Sequence, residues 1–200
     1  MKIVPTGIEN FKELIDKDAC YVDKTNLIEK VLKEKVVLYT RPRRFGKTLN
    51  MSMLYYFFSN KEKENAYLFD GLNISKNKEA LKHQNQYPVI FISLKDMKES
   101  KIENQLVKFS YIIARLLDQF EDILDDDIFN EREKKLLKRY HLNTASKNEL
   151  SESLLTISLC LRKYYHQKVI ILIDEYDVPL QAAYQHNYYD EMVEFLRNVF

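Results

Sequence analysis

The chain has 200 residues, of which 46% are hydrophobic and 30% are charged. This length and composition support a buried core, which excludes a disulfide-stapled miniprotein and an intrinsically disordered chain. The 31 basic and 30 acidic residues leave a formal net charge of +1, so the chain as a whole does not attract nucleic acid or an anionic membrane. The three glycines, Gly7, Gly46 and Gly71, are too far apart to form the G-x-G-x-x-G loop of a dinucleotide-binding site.

Cysteine usage and hydropathy indicate the cellular compartment. Cys20 and Cys160 have no cysteine or histidine partner at metal-ligand spacing, which disfavours a zinc site and a disulfide framework and predicts reduced thiols. The first 30 residues lack the apolar core of a signal peptide, and no later run approaches the ~18 consecutive apolar residues of a membrane-spanning helix. We therefore expect a cytoplasmic protein without membrane association.

The first half of the chain predicts helices around one short strand. Residues 11–34 carry apolar side chains at helical spacing, with an interruption near residues 16–21. Val36–Thr40 is a β-branched and aromatic run, too short for a buried helix, which predicts a strand that ends at Pro42. Lys47–Phe58 is apolar almost all round, and a helix of that kind must be largely buried. The predicted order is therefore strand, loop and buried helix.

The second half of the chain adds two strands and further helices. Tyr87–Leu94 is a nearly continuous apolar run, as expected for a strand of a sheet that helices cover on both faces, and Lys168–Ile173 predicts a third strand. Ser146 and Glu149 have the spacing of a capping box, which predicts the start of a helix that runs to about His166. Further helices are predicted over residues 102–124, over 131–140 and from about Tyr189 to Phe200. Because this last helix has no stop signal, we expect the chain to be a fragment whose next element is missing.

A phosphate-binding pattern lies between the first predicted strand and its helix. Gly46, Lys47 and Thr48 match the second half of G-x-x-x-x-G-K-[ST]. Backbone N–H groups at such a helix start attract phosphate oxygens, and the absent side chain of glycine lets that backbone come close. The lysine of this pattern reaches the β- and γ-phosphates, and the threonine hydroxyl is a ligand that suits Mg²⁺. We predict Lys47 as a catalytic and phosphate-binding residue and Thr48 as a magnesium ligand.

The loop departs from the pattern at one position. Arg41 stands where the pattern has its first glycine, and together with Arg43 and Arg44 it could supply positive charge to a triphosphate. A solvated surface loop is the alternative for these arginines, but their position beside Gly46 and Lys47 favours an anion site. The predicted nucleotide-binding residues are Arg43, Arg44, Phe45, Gly46, Lys47, Thr48 and Leu49.

Two carboxylates follow the third predicted strand. Asp174 and Glu175 would reach solvent at the edge of the sheet where α/β proteins bind ligands. In a Walker-B arrangement, the first carboxylate holds Mg²⁺ and the second orients the attacking water as a general base. An ordinary strand end that meets a polar loop is the alternative, and the presence of the Gly-Lys-Thr motif on another strand favours the functional interpretation. We predict Asp174 as a magnesium ligand and Glu175 as the catalytic base.

Structural interpretations are favoured for the other polar residues. Asp177 is predicted to cap the turn before Pro179. The stretch Tyr21–Thr25 either lines a base or ribose pocket or caps the helix that starts near Thr25, and capping is the favoured interpretation. The four histidines have no mutual ligand spacing, which places them at the surface or at helix ends.

Three stretches carry a family resemblance: Tyr21–Thr25, Arg41–Leu49 and Asp174–Leu180. They resemble the AAA-ATPase-like family over essentially the whole chain, and many members of that family also have an arginine in place of the first loop glycine. The resemblance implies an α/β fold, a P-loop NTPase three-layer αβα sandwich with a mainly parallel sheet that is incomplete at the C-terminus of this chain. It also implies one domain over residues 1–200, with a helical lead-in over 1–34 and a nucleotide-binding core over 35–200. Full-length members continue into a nuclease-like domain, which implies such a C-terminal partner and, through it, contact with nucleic acid.

The motifs and the resemblance together lead us to expect a domain that binds ATP and Mg²⁺, hydrolyses the ATP, and drives or gates a partner domain. Adenine is favoured because the N-K-x-D and D-x-x-G patterns of small GTPases are absent. A nucleotide-gated binding module without significant hydrolysis and a degenerate structural domain stay open as alternatives. The oligomeric state also stays open.

Overall fold

The structure is a computed structural model that describes residues 4–39 and 45–200. These residues form α-helices, short 3₁₀ turns and two β-strands. The chain divides into two compact units, Met1–Val89 (unit 1) and Ile90–Phe200 (unit 2). Within the described ranges, no helix is long and apolar enough to cross a membrane.

Unit 1 is helical in its described residues. Its helices are α1 (Phe11–Asp16), α2 (Asn26–Val31), α3 (Lys47–Phe58) and α4 (Lys78–Leu81), with 3₁₀ turns at Lys63–Phe69 and Asn73–Lys76. The interrupted helical lead-in and the helix over 47–58 are thus confirmed. The side chain of Asn10 caps α1 by accepting a hydrogen bond from the N–H of Glu13, at 3.0 Å.

An aromatic cluster joins α3 to α1 and to the 3₁₀ turn at Lys63–Phe69. The rings of Phe11 and Phe69 stack with their centroids 5.3 Å apart, and the ring of Phe57 meets Phe69 edge to face at 5.1 Å. Such pairs add about 0.5–1.5 kcal/mol each beyond the burial of their area. Helix α3 also binds α1 through a polar contact, because Ser52 Oγ accepts a hydrogen bond from the N–H of Phe11 at 3.0 Å. Helix α3 is therefore the element on which the lead-in packs.

The prediction of a strand over 36–40 is wrong for the described residues 36–39, which form no regular secondary structure. Val36 is 87% exposed and Leu38 is 70% exposed. A strand exists only as a hydrogen-bonded pair, and none of the described strands or bridges includes residues 36–39. A β-branched composition by itself is not enough to form a strand. Thr40, the last residue of the predicted strand, lies outside the described residues.

Unit 2 contains the two strands, which form a small parallel sheet compatible with the predicted α/β class. Its elements in chain order are β1 (Val89–Ser93), α5 (Ile102–Asp118), α6 (Glu131–His141), α7 (Lys147–Ser151), α8 (Ser153–Tyr165), β2 (Ile170–Asp174), α9 (Val178–Gln185) and α10 (Tyr189–Val199). The first of these strands begins at the boundary between the units. The strands predicted over 87–94 and 168–173, and the helices over 131–140 and 189–200, are confirmed within a few residues. The helix predicted over 102–124 begins as predicted but ends at Asp118. The core of this unit includes an edge-to-face contact between Phe109 of α5 and Phe195 of α10, with 5.3 Å between the ring centroids.

The capping box at Ser146 is present, but the helix it opens is shorter than predicted. The N–H of Ser146 donates to Glu149 Oε2 at 2.8 Å, and the N–H of Glu149 donates to Ser146 Oγ at 3.4 Å. The predicted single helix is broken at Glu152 into α7 and α8. The hydroxyl of Ser153 donates to the carbonyl of Leu150 at 2.7 Å, and such local side-chain bonds compete with the helical pattern.

Helix α9 was not predicted, since only a turn was expected before Pro179. The proline lies in the first turn of α9. Backbone N–H groups in a first turn have no partner within the helix, so the N–H that proline lacks is not needed there, and the fixed φ of proline suits the helical conformation. A proline near the start of an apolar segment is therefore the signal that could have revealed this helix.

Candidate functional site

The start of α3 has the backbone geometry of an anion site. Gly46 is its N-cap residue and adopts the left-handed conformation, with φ 74° and ψ 29°, which glycine tolerates best. The carbonyl of Gly46 accepts the hydrogen bond of the Asn50 N–H at 3.0 Å. The first turn of α3 contains no acidic residue, so no carboxylate there neutralises the positive end of the helix. Backbone N–H groups at this end are therefore suited to bind an anion.

The structure describes five of the seven predicted nucleotide-binding residues, namely Phe45, Gly46, Lys47, Thr48 and Leu49. Phe45 is exposed, and the other four are partly buried. Arg43 and Arg44 lie outside the described residues, so their role stays a prediction. The same holds for Arg41.

Sequence reasoning missed Asn50, which is polar but only 2% exposed. Its side-chain amide donates a hydrogen bond to the hydroxyl of Tyr39 at 3.0 Å. This bond ties the chain just before the loop to the first turn of α3. The only signal in the sequence is a polar residue within an otherwise apolar helix.

Lys24 also lies at the start of α3, which no spacing rule indicated. Its Nζ is 3.8 Å from the position that a Cβ atom would take on Gly46. The sequence prediction for this stretch was helix capping, and Thr25 does occupy the N-cap position of α2. Its side chain, however, makes no capping bond to α2, so that part of the prediction is wrong.

The side chains of Asp23 and Thr25 bind the 3₁₀ turn at Asn73–Lys76 instead. Asp23 Oδ1 accepts from the N–H and the hydroxyl of Thr25, at 2.9 and 2.7 Å, and Asp23 Oδ2 accepts from the N–H of Asn73 at 2.6 Å. Thr25 Oγ1 accepts from the N–H of Ile74 at 3.1 Å. Burial alone would raise the pKa of Asp23, but the hydrogen bonds from Thr25 and Asn73 outweigh it and hold the pKa below its ordinary value of 3.8.

We expect Asp23→Ala to lower the free energy of unfolding by about 1–3 kcal/mol at pH 7, because it leaves two backbone N–H groups and one hydroxyl without their acceptor. The lowered pKa means that the ionised carboxylate stabilises the protein above pH 3.8 and that this contribution is lost as the pH falls through the folded-state pKa. Urea unfolding of the wild type and the variant between pH 3 and pH 7 measures both effects.

The exposed Asp70, in the same unit, provides the matched control, since Asp70→Ala should change stability by less than about 0.5 kcal/mol. Equal losses in Asp23→Ala and Asp70→Ala, or a loss that does not depend on pH, would contradict the assigned role of Asp23.

In unit 2, the carboxyl end of β2 places Asp174 beside β1. The carbonyl of Asp174 accepts the N–H of Leu94 at 3.0 Å, and Asp174 Oδ1 accepts the N–H of Glu175 at 3.0 Å. Asp174 is only 4% exposed, so the expectation that it reaches solvent is wrong. Its Oδ2 has no hydrogen-bond partner among the described residues.

Glu175 has an unusual backbone conformation, with φ 55°. The other non-glycine residues with positive φ in the described part of the chain are Asn, Asp or His, which tolerate it better than glutamate does. The conformation costs on the order of 1–2 kcal/mol and persists only where neighbouring contacts impose it. Those contacts include the bond to Asp174 and a 3.1 Å bond from the N–H of Val178 to the Glu175 carbonyl. Backbone strain of this kind clusters at functional sites.

Asp177 contributes to local structure, although not by the predicted cap. It is the N-cap residue of α9, but its side chain makes no capping bond. Its Oδ2 instead accepts from Gln181 Nε2 at 2.6 Å, one turn along the helix. Its Oδ1 is buried without a partner among the described residues.

The predicted site residues thus fall in both units. The loop residues and Lys24 belong to unit 1, whereas Asp174 and Glu175 belong to unit 2. That the two sets meet at one nucleotide stays a prediction.

Comparison with known proteins identifies one family. The family model described as "Predicted AAA-ATPase" matches residues 5–200, which is nearly the whole chain. No curated protein and no solved structure matches the chain significantly.

Proposed function

Because the chain belongs to the AAA-ATPase-like family, we propose that it binds Mg-ATP and hydrolyses it to ADP and phosphate. The observation that carries this proposal is the start of α3, where a left-handed glycine precedes Lys47 and Thr48 and no acidic residue follows in the first turn. A triphosphate is the ligand that suits backbone N–H groups, an ammonium group and a hydroxyl at such a helix end. In this proposal Arg43 and Arg44 add positive charge to the same ligand.

We propose Thr48 and Asp174 as the protein ligands of Mg²⁺. The described residues contain no group of three or more His, Cys, Asp or Glu side chains that could hold a metal by themselves. Mg²⁺ in phosphate-transfer sites needs no such group, because it takes one or two protein oxygens and completes its shell with phosphates and water. The Oδ2 of Asp174, which has no hydrogen-bond partner among the described residues, fits this donor set. When bound, the ion would neutralise negative charge on the phosphates.

We propose Glu175 as the base that orients the attacking water and accepts its proton. The water oxygen forms a bond to the γ-phosphorus while the bond from that phosphorus to the β–γ bridging oxygen breaks, and ADP and phosphate leave. Lys47 would stabilise the negative charge that develops on the phosphoryl oxygens. The Glu175 side chain has no hydrogen-bond or ion-pair partner in the described part of the chain, so nothing there competes with a water molecule.

The wider architecture and the partner are also proposals. The two parallel strands would belong to the larger parallel sheet of a P-loop sandwich, which the family resemblance implies. Hydrolysis would then drive or gate a nuclease-like partner domain at the C-terminal side, and nucleic acid would be contacted through that domain.

Thermal melting with and without Mg-ATP tests nucleotide binding. A ligand at 100 times its Kd adds about 2.7 kcal/mol of stability, which for a chain of this size raises Tm by about 5–10 °C. Mg-GTP should give a smaller rise if adenine is preferred. No rise with any nucleotide would contradict the proposal.

A phosphate-release assay on the same samples separates the two functional alternatives. Release of phosphate at a steady rate supports an ATPase. A rise in Tm without phosphate release would replace the hydrolysis proposal by a nucleotide-gated binding module.

A further inference from the structure

Lys24 comes from the lead-in yet lies beside the phosphate-binding glycine. Its Nζ is 3.8 Å from where a Cβ on Gly46 would be. The residue is exposed, and no described carboxylate forms an ion pair with Lys24 or with Lys47. Two lysines are thus available at the start of α3.

The backbone of Lys24 is held in place, while its side chain has no hydrogen-bond or ion-pair partner in the described part of the chain. Its N–H donates to the hydroxyl of Tyr21 at 3.1 Å, and that hydroxyl contacts Met53 Sδ of α3 at 3.6 Å. On its other side Thr25 is fully buried and bound to the 3₁₀ turn at Asn73–Lys76. These contacts fix the backbone of the stretch, and its Lys24 ammonium group lies beside the start of α3.

The electrostatics of this arrangement point to an anion. The positive end of α3 and the ammonium groups of Lys24 and Lys47 have the same sign, and the first turn of α3 contains no acidic residue. The nearest acid in sequence, Asp23, already accepts hydrogen bonds from Thr25 and Asn73. Like charges gathered without a counter-charge are stabilised when an anion binds between them.

We propose that Lys24 is a second cationic contact for the phosphate chain of the nucleotide, in addition to Lys47. An ammonium group has three donors and no acceptor, so its natural partner is a phosphate oxygen. Its position beside the Gly46 backbone favours the phosphates over the base or the ribose. This inference rests on the proposed function and extends it. It predicts that the affinity for a nucleotide increases with the number of its phosphates, and that Lys24, a residue outside the loop, contributes to this increase.

Lys24→Ala tests this contact by titration with Mg-ATP, Mg-ADP and AMP. The loss of one charged hydrogen bond should weaken Mg-ATP binding about 10-fold and AMP binding less than about 3-fold. Lys24→Arg should retain most of the affinity, since the charge is kept. The exposed Lys30 of α2 provides the control, and Lys30→Ala should bind Mg-ATP like the wild type.

Protection of lysines in the wild type provides a measurement that needs no variant. Acetylation by acetic anhydride, read by mass spectrometry, should be slowed at Lys24 and Lys47 by Mg-ATP, and should be unchanged at Lys30.

The outcomes separate this inference from the proposed function. If the wild type binds Mg-ATP but Lys24→Ala binds it equally well, or Lys24 is not protected, the role of Lys24 is overturned and the proposed function stands. If the wild type binds no nucleotide, both are overturned. Weaker binding in Lys24→Ala, rescue in Lys24→Arg and protection of Lys24 support the inference.

Discussion

Glu175→Gln is expected to leave Mg-ATP binding unchanged and to lower the rate of phosphate release by about 10²–10⁴-fold, the usual contribution of a general base. Glutamine has nearly the same shape as glutamate and can adopt the same backbone conformation. It cannot accept the proton of the attacking water. Binding is measured by titration and turnover by phosphate release on the same preparation.

Two further variants show whether the effect belongs to the carboxylate. Glu194→Gln removes an exposed carboxylate from α10 of the same unit and should leave turnover unchanged. Glu175→Gly should raise the free energy of unfolding by about 1 kcal/mol, because glycine accepts the φ of 55° without strain. Its turnover should fall as in the glutamine variant, because the carboxylate is absent. Normal turnover in Glu175→Gln would refute the catalytic role of this residue.

Lys47→Ala is expected to weaken Mg-ATP binding by about 10- to 100-fold, because a charged hydrogen bond to phosphate contributes about 1.5–3 kcal/mol. The increase in Tm with Mg-ATP should shrink accordingly, and turnover should fall as well. Alanine is a good helix former at the first position of α3, so the Tm without nucleotide should stay within about 2 °C of the wild type. Titration with Mg-ATP and melting without nucleotide measure the two effects separately.

The Lys30→Ala control defines how much any surface lysine contributes to nucleotide affinity. If Lys47→Ala lost no more affinity than Lys30→Ala, the start of α3 would not be the phosphate site. If Lys47→Ala weakened Mg-ATP binding and Lys24→Ala did not, the phosphate site would be confined to the loop itself.

Local signals predicted most of the helices. The apolar spacing before residue 34 and the apolar run over 47–58 correspond to α1, α2 and α3. The Ser146–Glu149 capping box correctly marked the start of α7. These features depend on contacts within a few residues, and a sequence displays such contacts directly.

Pairing between distant residues was not predictable in the same way. Residues 36–39 have a strand-like composition, yet no strand forms there, because a strand depends on a neighbour that its own sequence does not specify. The backbone hydrogen bond between Asp174, at the end of β2, and Leu94 likewise joins residues that lie 80 positions apart in the chain.

The sequence alone determined the chemistry that the chain carries: a glycine, an amine and a hydroxyl at the start of one helix, and two adjacent carboxylates after one strand. It did so because those residue types and spacings are local. Only the tertiary structure brought Lys24 to Gly46, tied Tyr39 to Asn50 and imposed the left-handed backbone of Glu175. These features arise when separate segments pack together, and packing is decided by the free energy of the whole fold rather than by any short stretch of residues.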